Sequence, residues 1–169
     1  MFRPYAVHMK TRIFMLLLVC TAGARGDDTS RLKELDAYWV EVSRSVKKGD
    51  FEGYQAACHS LGVLVNGISK KSYPLAQALA KWRQGFDDTK SGNMKASVQF
   101  RFSQRVGDAT TAHETGMFLY RSEVDGKKSA DYIHFEALLQ KTETGWKILM
   151  EYQKSKGTKA EWDALDQTE

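Results

Sequence analysis

Apolar residues recur at two spacings along this chain, and the change from one to the other divides it. Leu32, Leu35, Trp39, Val42 and Val46 fall three or four apart, which places them on one face of a helix. Gly49 ends that helix as a glycine just past its last turn. Asp50 offers the N-cap of a second, short helix carrying Phe51, Tyr54, Ala57 and Cys58. His59-Ser60-Leu61-Gly62 then turns the chain into a short β run, Val63-Leu64-Val65, which Asn66-Gly67 terminates. Pro74 suits the first turn of a third helix, with Leu75, Leu79, Trp82 and Phe86 along one side and a loop over Asp87 to Asn93.

Beyond that loop the period becomes two. Lys95 to Gln104 alternates, with Ala96, Val98, Phe100 and Phe102 on one side. Further long strands are predicted over Ala109 to Arg121, Tyr132 to Lys141 and Trp146 to Lys154. Gly107-Asp108, Asp125-Gly126 and Thr144-Gly145 separate them, so the strands form an antiparallel meander. The tail is polar apart from Trp162 and Leu165, which would pin it to the body. Helices first and a curved sheet afterwards predict an α+β fold with the helices covering one face.

The N-terminus follows another pattern. Arg3, Lys10 and Arg12 precede the apolar run Ile13 to Cys20, and Ala22-Gly23-Ala24 follows. A basic region, a short apolar core and a small-residue cleavage site read as a secretory signal peptide, and the run is too short to span a bilayer. The chain therefore divides into a signal peptide at 1–24, a flexible leader at 25–30, an α+β domain at 31–156 and a polar tail at 157–169. A periplasmic or secreted location follows, with no membrane span after cleavage near Ala24. An alternative is a lipid anchor at Cys20, although Val19 is bulkier than the Gly, Ala or Ser such sites want before the cysteine.

Cleavage changes the charge. The full chain has 25 Lys plus Arg against 21 Asp plus Glu, a net +4. Removing the signal peptide's three basic residues leaves 22 against 21, so the basicity belongs to targeting. No stripe of Lys and Arg runs along a helix, and nucleic acid is not an expected partner. Cys58 is then the one cysteine left, which precludes an internal disulfide; it reads as a small buried hydrophobe.

The order of elements, with Gly49-Asp50-Phe51 after the first helix, the Val63-Leu64-Val65 run and the closing Gly145-Trp146-Lys147-Ile148, resembles the nuclear-transport-factor-2-like superfamily. Within it, the SnoaL-like and ketosteroid-isomerase-like branch is the nearest in pattern, over Leu32 to Ser155. The resemblance implies a cone: a curved antiparallel sheet wrapped around three N-terminal helices, with a pocket at the open end. It also implies a homodimer, as in many relatives. It does not fix a function, because this scaffold hosts enzymes, binding modules and assembly domains. In ketosteroid isomerase the base is an Asp after the short β run. The comparable place here falls at or near Asn66, which cannot take a proton.

Alternation sorts the strands into faces. One set is Ser97, Gln99 and Arg101; Thr111, His113, Thr115 and Met117; Tyr132, His134, Glu136 and Leu138; and Leu149, Glu151 and Gln153. If these share a side, Arg101, His113, His134, Glu136, Glu151 and Gln153 converge on the pocket, and Tyr38 and Trp39 of the first helix can join them. Glu151, His134 and Glu136 are then candidate bases, since a buried carboxylate beside an imidazole can be tuned for proton transfer. The alternative is a polar face that is simply solvated or covered by a partner chain.

No metal or cofactor is expected. His134-Phe135-Glu136 matches only half of a zinc deaminase signature, and His113-Glu114 lacks the second His of H-E-x-x-H. Three readings stay open: an exported domain binding a small, partly apolar molecule, a cofactor-free acid–base enzyme of isomerase or hydratase type, and a dimerisation or assembly module.

Overall fold

The computed structural model describes residues 24–165, with side chains placed from Asp28 onward. The signal peptide and the Cys20 alternative lie outside the described residues, apart from Ala24. Helix α1 spans Ala24–Lys48, so the segment read as a flexible leader forms its first turns. Leu35, Trp39, Val42 and Val46 are its buried stripe, as the spacing predicts. Gly49, at φ +64°, ends it; a side chain there would run into the backbone of Lys90, 2.4 Å from the Cβ position. That contact requires glycine for both the turn and the close packing of α1 on the third helix.

Helix α2 (Phe51–Ala56) is capped by Asp50, which accepts from the Gly53 N–H at 2.9 Å. Strand β1 (Cys58–Asn66) is longer than the predicted run. Cys58 and His59, read as helix end and turn, belong to it because Cys58 pairs with Ile148 near the chain's other end. A short strand β2 (Lys71–Pro74), not predicted, returns antiparallel along β1. Helix α3 (Leu75–Ser91) runs through most of the segment read as a loop. Nothing in that segment breaks a helix until Gly92, which adopts φ +84°.

Strands β3 (Met94–Gly107), β4 (Thr111–Val124), β5 (Lys127–Thr142) and β6 (Gly145–Lys156) follow, and helix α4 (Lys159–Ala164) closes the described chain. The strand order is β2-β1-β6-β5-β4-β3. The pairs are antiparallel with one exception: β1 lies parallel to β6. The sheet is therefore mixed where an antiparallel one was expected. The chain leaves β1 by way of β2 and α3 and comes back to it only with its last strand, a pairing that consecutive hairpins cannot supply.

The sheet curls around α1–α3. Its inner face carries Val98, Phe100, Phe118, Phe135, Leu139 and Ile148 against the helices. Trp39 stands among the aromatics, 4.4 Å from Phe100 and edge-on to Phe135 at 5.8 Å between ring centres. Such pairs add about 0.5–1.5 kcal/mol each beyond their burial. On the outer face α4 lays Trp162 over Met117 and Leu119, with Leu165 half-buried beside them. The two apolar tail residues thus hold the tail to the body. Thr158 and Glu161 form a reciprocal cap at the start of α4.

One carboxylate is sealed inside. Glu114 on β4 is fully buried and accepts from Trp39 Nε1 and from Arg105 Nε, the latter at 2.5 Å. Arg105 also donates to Asp36 of α1 at 2.5 Å. Arg105 reaches the inner face because β3 carries an extra residue at Ser103, between Phe102 and Gln104. A charge taken from water needs such partners, and removing one strands the other. Glu114→Ala is therefore expected to lower stability by about 3 kcal/mol, read as a shift of the urea midpoint with the m-value unchanged.

Candidate functional site

Between the helices and the inner face of the sheet lies a cavity of about 550 Å³. Its wall is largely aromatic and aliphatic: Trp39 and Val42 from α1, Trp82 and Phe86 from α3, Phe100 and Phe118 from the sheet. Lys81 and Asp131 also line it and are exposed, so they stand where it opens to solvent. Deeper in, the polar groups are the hydroxyls of Tyr38 and Tyr54, the amide of Gln153 and the carboxyl of Glu151.

Strict alternation from Trp146 and Ile148, both in the core, would send Glu151 to the outside. A bulge reverses this. Leu138 pairs with Met150 while Leu139 pairs with Ile148, which leaves Leu149 as an extra residue in β6. Beyond it Glu151 and Gln153 point inward, opposite Ala137 and Phe135. On the other side, parallel β1 sets Leu64 beside Glu151 and Asn66 beside Gln153.

Glu151 Oε1 accepts from Gln153 Nε2 at 2.7 Å, and Gln153 Oε1 accepts from Asn66 Nδ2 at 3.1 Å. Among the described residues no cation pairs with Glu151. The surface it exposes is cavity wall, and burial away from bulk water raises its pKa above the usual carboxylate value, with the Gln153 bond a smaller opposing effect. The phenols of Tyr38 and Tyr54 are likewise pushed well up by burial, so both stay protonated. Tyr38 donates to the Ala57 carbonyl at 3.0 Å. Burial pushes the Cys58 thiol up to about 12, leaving it inert as a nucleophile.

The predicted site residues are divided by the sheet. Tyr38, Trp39, Glu151 and Gln153 line the cavity. Arg101, His113, His134 and Glu136 do not: they sit on the outer face, and the expected convergence with Glu151 does not occur. The bulge at Leu149 separates Glu151 from residues with which it would otherwise share a side. Arg101 stacks on Trp162 at 4.2 Å and donates to its carbonyl at 2.7 Å. Glu136 accepts from Lys154 at 2.6 Å and lies 3.3 Å from His113 Nε2. The Lys154 bond holds the Glu136 carboxyl below its usual value. His134 faces Glu161 of α4 at 3.4 Å. Of the three candidate bases, Glu151 alone borders the cavity. Among the described residues no group of three or more His, Cys, Asp or Glu is placed to hold a metal ion.

Two groups escaped the sequence reading as site residues: Tyr54, which lines the cavity, and Asn66, which supports the lining residue Gln153. Tyr54 shares the apolar face of α2 with Phe51, and only the enclosed hydroxyl marks it. Asn66 meets Gln153 through a strand pairing between residues 87 positions apart, which no local pattern signals.

No protein-family model matches the chain, and no curated protein sequence matches it. Solved structures do. The beta subunit of a benzoate 1,2-dioxygenase from Burkholderia mallei superposes with a TM-score of 0.60 at 14% identity, over 72% of this chain and 87% of that one. An NTF-2-like protein of unknown function from Shewanella oneidensis gives 0.56 at 14% identity, over 72% and 97%. A ketosteroid isomerase-like protein from Erwinia carotovora atroseptica gives 0.53 at 15% identity, over 72% and 93%. The chain has the nuclear-transport-factor-2-like cone fold; identities this low speak for the fold alone.

The raised pKa of Glu151 makes stability depend on pH. Above the ordinary carboxylate value of 4.5 the unfolded chain gives up this proton while the folded one keeps it. The native state then binds more protons, and stability falls as pH rises towards the folded-state pKa. Glu151→Gln carries no such proton. The difference in urea midpoint between wild type and Glu151→Gln is expected to move against the wild type from pH 4.5 upward, and a difference independent of pH would show the carboxyl to be unperturbed.

Proposed function

We propose that the cone cavity holds a small, largely apolar molecule bearing one polar group that meets Glu151. The observation carrying this is an aromatic-walled space of about 550 Å³ with an enclosed carboxyl that has no cation beside it among the described residues. Protein interiors are otherwise packed as densely as organic crystals, and unfilled apolar volume costs stability. Small-molecule sites of this kind range over about 300–1,000 Å³ with a few convergent polar groups. Cys58 and Tyr38 are spoken for by burial and a backbone bond, which leaves the Glu151 carboxyl, with the Tyr54 hydroxyl near it, to address an occupant. Export of the mature chain and pairing of two copies accompany this reading, supported by the N-terminal pattern and the family resemblance respectively.

A second reading makes the domain a cofactor-free acid–base enzyme of isomerase or hydratase type, with Glu151 exchanging the proton. A carboxyl with a raised pKa facing a largely apolar cavity favours it. The two differ in whether the occupant leaves changed, which incubation with the released molecule would read.

Native mass spectrometry of the protein purified gently from the cells that make it is expected to show a reproducible extra mass of a small organic molecule, and the same spectrum gives the oligomeric state. Val98 is buried and lines the cavity. Val98→Trp, expressed in the same cells and with an unchanged far-ultraviolet circular dichroism spectrum, is expected to lose the extra mass. A folded variant that keeps it would place the molecule elsewhere.

A further inference from the structure

We propose that the Ser69 backbone, Asn66 and Gln153 form a one-way hydrogen-bond relay that turns Glu151 Oε2 into a proton donor aimed into the cavity. The polar group it recognises is then an acceptor oxygen, of the carbonyl class. The proposal rests on the cavity-binding reading above and deepens it.

The relay's direction follows from its first link. A backbone N–H can only donate, and the Ser69 N–H lies 2.8 Å from Asn66 Oδ1. That fixes the Asn66 amide, so its nitrogen faces Gln153 and donates to Oε1 at 3.1 Å. The Gln153 amide is fixed in turn, with its nitrogen donating to Glu151 Oε1 at 2.7 Å. An oxygen accepting from that amide is the carbonyl-like oxygen of a carboxylic acid, so the proton belongs on Oε2. Among the described residues Oε2 has no hydrogen-bond partner, and Glu151 lines the cavity.

Among the described residues no charged side chain pairs with the carboxyl, and the charged residues that line the cavity, Lys81 of α3 and Asp131 of β5, are exposed at its mouth. From α1, Tyr38 spends its hydroxyl proton on the Ala57 carbonyl at 3.0 Å. From α2 comes Tyr54, neutral and without a hydrogen-bond partner for its hydroxyl among the described residues. From β1, the Cys58 thiol donates to the Tyr54 carbonyl at 3.4 Å. Lys147, on Glu151's own strand, donates to the Ala56 carbonyl instead. Burial raises the Glu151 pKa in keeping with this arrangement.

Two matched probes test the idea by equilibrium dialysis: 2-acetylnaphthalene, which offers a carbonyl, and 2-ethylnaphthalene, which does not. At pH 5 the wild type is expected to bind the ketone about five- to tenfold more tightly, the worth of one net hydrogen bond. That preference fades as pH rises and Oε2 loses its proton. Glu151→Gln keeps the relay and presents an amide N–H to the cavity, so its preference stays level across pH. Asn66→Asp reverses the relay. The new carboxylate accepts from both Ser69 and Gln153, Gln153 turns its oxygen to Glu151, and the proton moves to Oε1. The ketone preference is then lost at pH 5 as well.

Equal binding of both probes by the wild type overturns the acceptor assignment and leaves the cavity reading standing. Binding of neither overturns the cavity reading and the proposal together. A ketone preference that survives in Asn66→Asp overturns the relay. If that variant does not fold, a pH-dependent preference in Glu151→Gln does so instead.

Discussion

One extra residue in the last strand decides what this fold encloses. Without Leu149 bulged out of β6, the side chains that follow Trp146 and Ile148 would keep their parity. Met150 and Tyr152 would then face the helices, and Glu151 would face outward. With the bulge, the strand begins as core and ends as a polar wall of the cavity. The parallel pairing with β1 depends on the same shift, since it brings Asn66 beside Gln153 rather than beside a neighbour pointing the other way. A second bulge, at Ser103, does for β3 what Leu149 does for β6: it turns Arg105 inward to meet Glu114. Both switches place a charged or polar residue inside a sheet whose inner face is otherwise apolar.

Much of the architecture was legible because it is local. The stripe of α1, the Gly49 stop, the Asp50 cap and the long alternating strands each follow from a few consecutive residues, and the tail's Trp162 and Leu165 declared themselves as the large apolar side chains in a polar stretch. What was not legible depends on contacts far apart in the chain. The parallel β1–β6 pair joins residues some ninety positions apart in register, as with Asn66 and Gln153. Strand parity across β6 was equally hidden. A bulge has no sequence signature in Lys147-Ile148-Leu149-Met150, so the alternation placed Glu151 with the outer residues. That one missed bulge merged two separate groups, a cavity pair and an outer cluster, into a single apparent site.

The aromatic residues show how a core and a cavity wall can be one structure. Trp39 touches Phe100, Phe102 and Phe135 as a core residue does, and its indole N–H is committed to Glu114. Its remaining face is cavity wall. Phe100, Phe118 and Phe135 serve both purposes in the same way. The bond to Glu114 orients the Trp39 ring against which Phe100 and Phe135 pack. This is why the sealed ion pair, which takes no part in recognition, bears on the shape of the space beside it.

Three glutamates on neighbouring strands make the final distinction. Glu114 is fully buried and has a cation for a partner, Arg105 at 2.5 Å. Glu136 lies on the outer face, where Lys154 at 2.6 Å holds it as a carboxylate. Glu151 is enclosed like the first but has only an amide for a partner. A carboxyl can meet burial in two ways, by acquiring a cation or by keeping its proton. The sheet offers Glu151 only the second. A protonated carboxyl at the wall of an apolar space is a directional donor, and its selectivity comes from what it would leave unpaired. An occupant without an acceptor strands the O–H, and an occupant with a donor meets a donor. The chemistry of this cavity thus turns less on the presence of a carboxyl, which the sheet has in plenty, than on an enclosed position where, among the described residues, no basic side chain meets it.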